Sequence, residues 1–575
     1  MKGIWVVVAL TLEVALAAIP EETLDWWQTS VFYQVYPRSF KDSDGDGIGD
    51  LNGIADKLGH LKDAGIGAVW LSPIYKSPMV DFGYDIANFT DVDPIFGTLE
   101  DFNRLQNRAK ELGIKLVLDF VPNHSSNESD WFVKSLQRID PYTEYYVWVD
   151  PKYDAEGNRI PPNNWLSEFG GSAWEWRAER QQYYLHAFAV QQADLNYNSP
   201  YVVEEMKNVL RFWLDRGVDG FRIDAVPYLF EDPELRDEPL SGKPDALPSE
   251  SQYLTHIYTQ NLPKTYDMIQ QWRQLVDEKK AEDGQTRVLM LETYAPIDKV
   301  MAYYGSEERP GGHFPFNFLL ISDLNKDSNA YAFNETVHKW IDNMPEGRWA
   351  NWVIGNHDQH RVASRYGPEL VDGLNMLAQL LPGSGITYNG EEIGMVDAHI
   401  SFSDTVDPAG RNAGPERYEL FSRDPERTPF QWDDTFNSGF STSNRTWLPV
   451  NSNYHQLNLA AQKEAPVSHY KVYQRLIELR KQPTVQRGSL QTYPASEKVF
   501  AFSRVLSGKI PIVVVINLGS ETEHVNLDAL ADIPENLVVD VASIYSSRVA
   551  GASVSRSDIT LDPKEALVLT SASQI

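Results

Sequence analysis

The chain contains no cysteine. This removes disulfides, thiolate metal sites and thiol nucleophiles together, so a chain of 575 residues must hold itself by core packing alone. Basic residues are scarce beside acidic ones: 51 Lys and Arg against 81 Asp and Glu give a net charge of −30. Nucleic acid and anionic membrane surfaces both reward cations, so neither is expected as a partner. Long apolar runs are missing beyond the N-terminus. The run there, within MKGIWVVVALTLEVALAA, is too short for a comfortable membrane span and ends in small residues, so residues 1–18 read as a signal peptide. No Gly-rich phosphate turn follows the first strand-like segment, which argues against a doubly wound nucleotide fold.

What the chain does contain is a large apolar complement, 42% hydrophobic and 12% aromatic, enough for an extensive globular core. Short β-type runs recur, each followed by a longer helical pattern: VFYQVYP, AVWLSP, IKLVLDF, GFRIDAV, RVLMLETY, HFPFNF, WVIGNHD and GITYNG. Several are almost continuously apolar, as strands buried on both faces should be. Eight such alternations predict an α/β fold, a (β/α)8 barrel. The repeat is broken once, by about a hundred residues rich in Asn, Pro, Trp and Tyr between LVLDF and GFRID. We therefore expect barrel segments at 19–123 and 196–485, an inserted subdomain at 124–195, and a β-sandwich at 486–575, where the helical pattern stops.

The stretch KDSDGDGIGDLNG places Asp42, Asp44, Asp46 and Asp50 at alternating positions around Gly47. That is the spacing of an EF-hand loop, but the twelfth position, where an EF-hand needs Glu, is Gly53. Other charged residues close strand runs: Asp119, Arg222, Asp224, Glu292, His357 and Asp358. In a barrel all eight strand ends meet on one rim, so acids from four strands can surround one pocket. Carboxylates around a pocket suit glycoside hydrolysis, where one attacks the anomeric carbon and another, kept protonated by crowding, protonates the leaving oxygen. Arg222 shares a strand face with Asp224 and can keep it ionised, whereas Glu292 has no basic neighbour in sequence.

With these motifs in order, the chain from about residue 24 onward resembles the α-amylase superfamily of retaining glycosidases, and within it the α-glucosidases of the insect maltase and sucrase type. DFVPNH, GFRIDAV, LETY and VIGNHD match the four signature regions, and GEEIGM fits the eighth strand. The resemblance implies that Asp224 is the nucleophile, Glu292 the general acid and base, and Asp358 the third carboxylate. It also implies that His124, His357 and Arg222 hold the glucosyl unit. Asp85, in FGYDIANF, would close the pocket, paired with an Arg from SRDPERTPFQW, for which Arg427 is favoured over Arg423. A pocket so closed admits only a chain end. The acidic loop would bind one structural Ca2+ through Asp42, Asp44, Asp46, Asp50 and the Ile48 carbonyl. No organic cofactor is implied.

Ala225 follows the nucleophile, where related enzymes with Ala or Thr act on α-1,4 and those with Val on α-1,6 linkages. Maltose-type bonds are thus favoured, with sucrose also within reach. The stretch QADLN departs from the usual QPDLN at Ala193. The expected partner is a disaccharide or short oligosaccharide, resolved on the enzyme by water or, in transglycosylation, by another sugar. Sequons at Asn88, Asn127, Asn334 and Asn444 fit a secreted, glycosylated protein, and a fifth, at Asn123, lies in a signature region and is not expected to carry sugar. Family analogy adds three alternatives: a catalytically silent transporter heavy chain, a lipid-anchored gut-surface form, and a receptor for bacterial toxins. All three carboxylates are present, which disfavours the first, and the ending SASQI shows no hydrophobic anchor tail, so either the protein is free or its C-terminus has been cut.

Overall fold

A computed structural model describes residues 17–20 and 24–571, so all but the last two residues of the expected leader lie outside it. Eight parallel strands form its central sheet: β1 (Val31–Val35), β2 (Ala68–Leu71), β3 (Lys115–Phe120), β4 (Gly220–Ile223), β5 (Val288–Leu291), β6 (Phe314–Pro315), β7 (Asn351–Val353) and β8 (Ser384–Tyr388). Each is followed by a helix: α1 (Leu51–Ala64), α2 (Leu99–Leu112), α3 (Pro200–Asp215), α4 (Pro263–Asp283), α5 (Ile297–Ala302), α6 (Ala330–Ile341), α7 (Val371–Leu380) and α8 (His469–Arg480). The strand order is β6-β5-β4-β3-β2-β1-β8-β7. The seam between β6 and β7 is bridged by one side chain: Asn351 accepts from the Asn317 N–H at 2.9 Å and donates to the Pro315 carbonyl at 2.7 Å. The barrel therefore closes by a side chain where the short β6 cannot supply a ladder.

Local signals set the helix ends. Thr98 and Asp101 form a capping box at the start of α2, and Gly113 ends it in the left-handed conformation. Asp50 caps α1 by accepting from the Gly53 N–H at 2.8 Å. Gly53 is thus a helix residue packed on backbone, where a Cβ would stand 2.1 Å from the Lys41 carbonyl oxygen. That accounts for Gly where an EF-hand carries its Glu.

The insertion leaves the barrel after β3. Its two ends are tied together by an antiparallel ladder, His124–Ser126 against Gln192–Asp194. Between them a small sheet of Trp148–Val149, Gln182–Leu185 and Trp174–Arg177 packs on its own aromatic cluster around Trp165. After α8 the chain builds a six-stranded antiparallel sheet covered on one face by a two-stranded one, Glu523–Val525 with Ile559–Leu561. Period-two alternation assigns its faces. Phe500, Phe502, Val514 and Ile516 join the core that includes Leu374 and Leu377 of α7, while Val499, Ala501, Val513 and Val515 pack inside the sandwich. Among the described residues, no helix is long and apolar enough to cross a membrane.

Candidate active site

The carboxyl ends of the strands open into a cavity of about 340 Å3, lined by residues that include Asp224, Glu292, Asp358, His124 and His357. Parallel pairing in register brings the key groups together: Arg222 of β4 lies beside Asp119 of β3 and Met290 of β5. Asp224 and Glu292 each follow directly on the last residue of their strand.

Arg222, 2% exposed, is the hub. It bonds Asp119 at 3.0 and 3.1 Å, Glu292 at 2.9 Å, and Asp224. Three buried carboxyls share this one guanidinium and cannot all ionise at low cost. Burial pushes Asp224 up to about 7, with Arg222 opposing the rise. Burial pushes Glu292 higher, to about 8, and the charges of Asp224 and Asp358 add to it. Glu292 is thus held above the ordinary carboxylate range, as a proton donor near neutral pH must be. Its other oxygen accepts from the Ala225 N–H at 2.8 Å. Ala225 holds a positive φ of 47°, so the turn after Asp224 is backbone strain held at the site.

Asp358 sits in a different field. It contacts Arg427 at 2.7 Å, Arg423 at 3.2 Å and His357 at 3.4 Å. Burial acts to raise its pKa, but the permanent charges of Arg427 and Arg423 beside it help to outweigh burial, and the carboxyl is held well below the usual range. Burial keeps His357 and His124 neutral, the latter lowered to about 4. The Gln34 amide donates to His357 Nδ1 at 2.8 Å, which leaves the ring proton on Nε2, facing Tyr84 Oη at 2.6 Å. Tyr84 stacks on His357 with ring centroids 5.3 Å apart and passes a hydrogen bond to Asp119.

The expected closing pair, Asp85 with Arg427, is corrected by the structure. Asp85 is fully buried beneath the wall and does not line the cavity. Its carboxylate accepts from Ser77 Oγ and from the Val80 and Asp81 N–H groups, at 2.9–3.0 Å, and so shapes the turn. That turn presents Asp81 instead. Asp81 bonds Arg423 at 2.8 Å and Gln192 at 3.0 Å, and all three line the cavity. Arg423 is held in turn by Asp407, while Arg427 supports from behind, reaching Asp358 and the His357 carbonyl. Asp81, Gln192 and Tyr84 were missed from sequence, and Arg423 was named there only as the less favoured alternative to Arg427. The only available signal was their place within DFGYD, SRDPER and QADLN, where an acid or a cation has an equally plausible neighbour.

In the acidic loop, oxygens of Asp42, Asp44 and Asp50 lie within 4.8 Å of one another, while Asp46 stands outside this group. Asp42 accepts from the N–H groups of Asp44, Gly45 and Gly47 and from Ser441 Oγ. The loop is clamped: a Cβ at Gly47 would stand 2.1 Å from the Arg445 carbonyl oxygen. Burial raises Asp44 and Asp46, and repulsion among the acids adds to it. A rigid, oxygen-only, mutually repelling set fits a hard cation. Of the sequons, Asn88 and Asn444 are exposed, Asn127 and Asn334 half-buried, and Asn123 buried. Asn334 lies inside α6 with its Thr336 buried, a poor presentation for modification.

The chain belongs to the alpha-amylase family, whose catalytic domain matches residues 34–488. Among individual proteins it is similar to "Maltase 1" of Drosophila virilis, 52% identical over 96% of this chain and 87% of that protein. It is also similar to "Alpha-glucosidase" of Apis mellifera, 46% identical over 93% of each. A solved structure described as an alpha-glucosyl transfer enzyme, XgtA, superposes with a TM-score of 0.83 at 34% identity, covering 95% of this chain and all of that one.

Proposed function

We propose that the protein is a retaining, exo-acting α-glucosidase that removes terminal α-1,4-linked glucose from maltose and short oligosaccharides. The observation that carries this reading is one guanidinium, Arg222, holding both Asp224 and Glu292 at the floor of a cavity walled by the Asp81–Arg423 pair. Two carboxyls on one guanidinium stand close, as a double displacement requires. Asp224 attacks the anomeric carbon while Glu292 gives its proton to the leaving oxygen. The glycosyl ester on Asp224 is then hydrolysed by water that Glu292, now a carboxylate, deprotonates. Asp358, held ionised, accepts sugar hydroxyls and favours the distorted ring. The names of the insect relatives support the same reading.

Glucose release from maltose, isomaltose and sucrose tests it, with Asp224→Asn in parallel. Expected is rapid maltose hydrolysis with α-glucose as first product, reduced at least about 10^4-fold in the variant. Activity confined to isomaltose would overturn the linkage inferred from Ala225. No release from any substrate would overturn the activity. A second reading, transfer of glucose to another sugar, draws on the name of the XgtA structure and on a cavity of about 730 Å3 adjoining the first across Phe169, Phe188 and Phe421.

Calcium in the acidic loop is part of the proposal, with the grouped Asp42, Asp44 and Asp50 as ligands and Asp46, which stands outside that group, turning in with the Ile48 carbonyl to complete the set. Bound there it would fix the loop between β1 and α1 and neutralise its repulsion. Chelation is expected to lower Tm by a few degrees, on the order of 2–3 kcal/mol of linkage, and added Ca2+ to restore it. Secretion, with glycans at Asn88 and Asn444, completes the reading; peptide mapping of protein secreted from insect cells would check it.

A further inference from the structure

Outside the cavity, three side chains from three different segments converge. His360 follows Asp358 by two residues, Asp397 lies in the loop beyond β8, and Glu426 lies in the turn Pro425–Arg427. His360 Nδ1 is 2.8 Å from Asp397 Oδ2 and 3.5 Å from Glu426 Oε2, and the three ligand-type atoms lie within 4.8 Å of one another. Glu426 is 1% exposed, and its Oε2, aimed into this group, has no hydrogen-bond donor. The cation beside it in sequence does not serve it: Arg427 turns its guanidinium to Asp358 and the His357 carbonyl. Asp397 has one oxygen occupied, Oδ1 accepting from the Arg361 N–H at 2.8 Å, which leaves Oδ2 facing His360. A buried, unpaired carboxylate oxygen is costly and calls for a partner.

We propose that His360, Asp397 and Glu426 form a binding site for a divalent transition-metal ion of the zinc class, distinct from the acidic loop. The chemistry separates the two sites. The loop offers only oxygen, which suits calcium, whereas an imidazole nitrogen with two carboxylates suits Zn2+. Two carboxylates and a neutral imidazole match a double positive charge. The His360 side chain is 45% and that of Asp397 17% exposed, which opens a path from solvent and leaves room for water as the remaining ligand. The ion would tie together the segments that carry Asp358, Arg423 and Arg427, and so stiffen one wall of the cavity.

The test is equilibrium dialysis of calcium-loaded protein against zinc chloride, with Tm followed alongside. Expected is one Zn2+ per chain retained against excess calcium, with a raised Tm. His360→Gln and Glu426→Gln should each weaken retention at least about tenfold, since loss of a ligand should cost no less than loss of its supporting shell. Zinc not retained by the wild type, or weakening of less than about tenfold in either variant, overturns the site. If Glu426→Gln does not give the native circular dichroism spectrum, Asp397→Asn, more exposed, decides in its place. The readout is metal rather than sugar, so failure here leaves the α-glucosidase reading standing.

Discussion

Two arginine-centred clusters face each other across the cavity, and they treat carboxylates in opposite ways. Around Arg222, three carboxyls share one guanidinium, so positive charge is short and the pKa values of Asp119, Asp224 and Glu292 are all raised. Around Asp358, two guanidiniums, Arg423 and Arg427, serve three carboxylates, Asp358, Asp81 and Asp407, and both of them reach Asp358 and keep it ionised. The side-chain chemistry is the same on both sides. The ratio of cations to carboxylates, one to three around Arg222 and two to three around Asp358, separates an acid held above its ordinary pKa from one held below it.

The sharpest way to break this contrast is Glu292→Gln, which removes the retained proton. Expected is a loss of about 10^2–10^4-fold in kcat for maltose, and the alkaline limb of the pH profile should vanish. The sign follows from the direction of the shift: the acid must be protonated, its pKa is raised, and activity falls as pH climbs through it. An alkaline limb that persists in the variant would place the acid elsewhere.

Asp358→Asn acts on the other cluster and reports on the coupling between them. Activity should fall about 10^2–10^3-fold, the scale of a lost electrostatic contact in a preorganised site. Because the Asp358 charge raises Glu292, its removal should move the residual alkaline limb to lower pH. A limb that stays in place would mean the clusters titrate independently.

A smaller effect separates Asp81 from Asp85. Asp81→Ala strips Arg423 of a charged partner and should lower kcat/KM for maltose about 10–100-fold, mainly through KM. Asp85→Asn should leave KM unchanged and lower Tm, since that carboxylate holds a turn and touches no substrate. Reversed outcomes would restore the pair first expected from sequence.

Much of the site was legible in the chain itself, for a physical reason. A strand fixes which residues share a face, and a barrel gathers strand ends on one rim, so Asp224 and Arg222 in GFRID, Glu292 after LML, and His357–Asp358 after VIG could be assigned to one mouth before any coordinates. The same local logic placed the acidic loop and the break after β3.

Tertiary structure alone decided the rest. Asp81 and Asp85 stand four residues apart in one turn, and only the donors from Ser77, Val80 and Asp81 draw the second acid under the wall. Arg423 and Arg427 are likewise near neighbours, parted by Asp407, which swings one toward Asp81 while the other supports from behind. The gathering of His360, Asp397 and Glu426 has no trace in spacing at all. Such pairings depend on distances between segments remote in sequence, and on how many charges share one buried volume, which spacing along the chain does not encode.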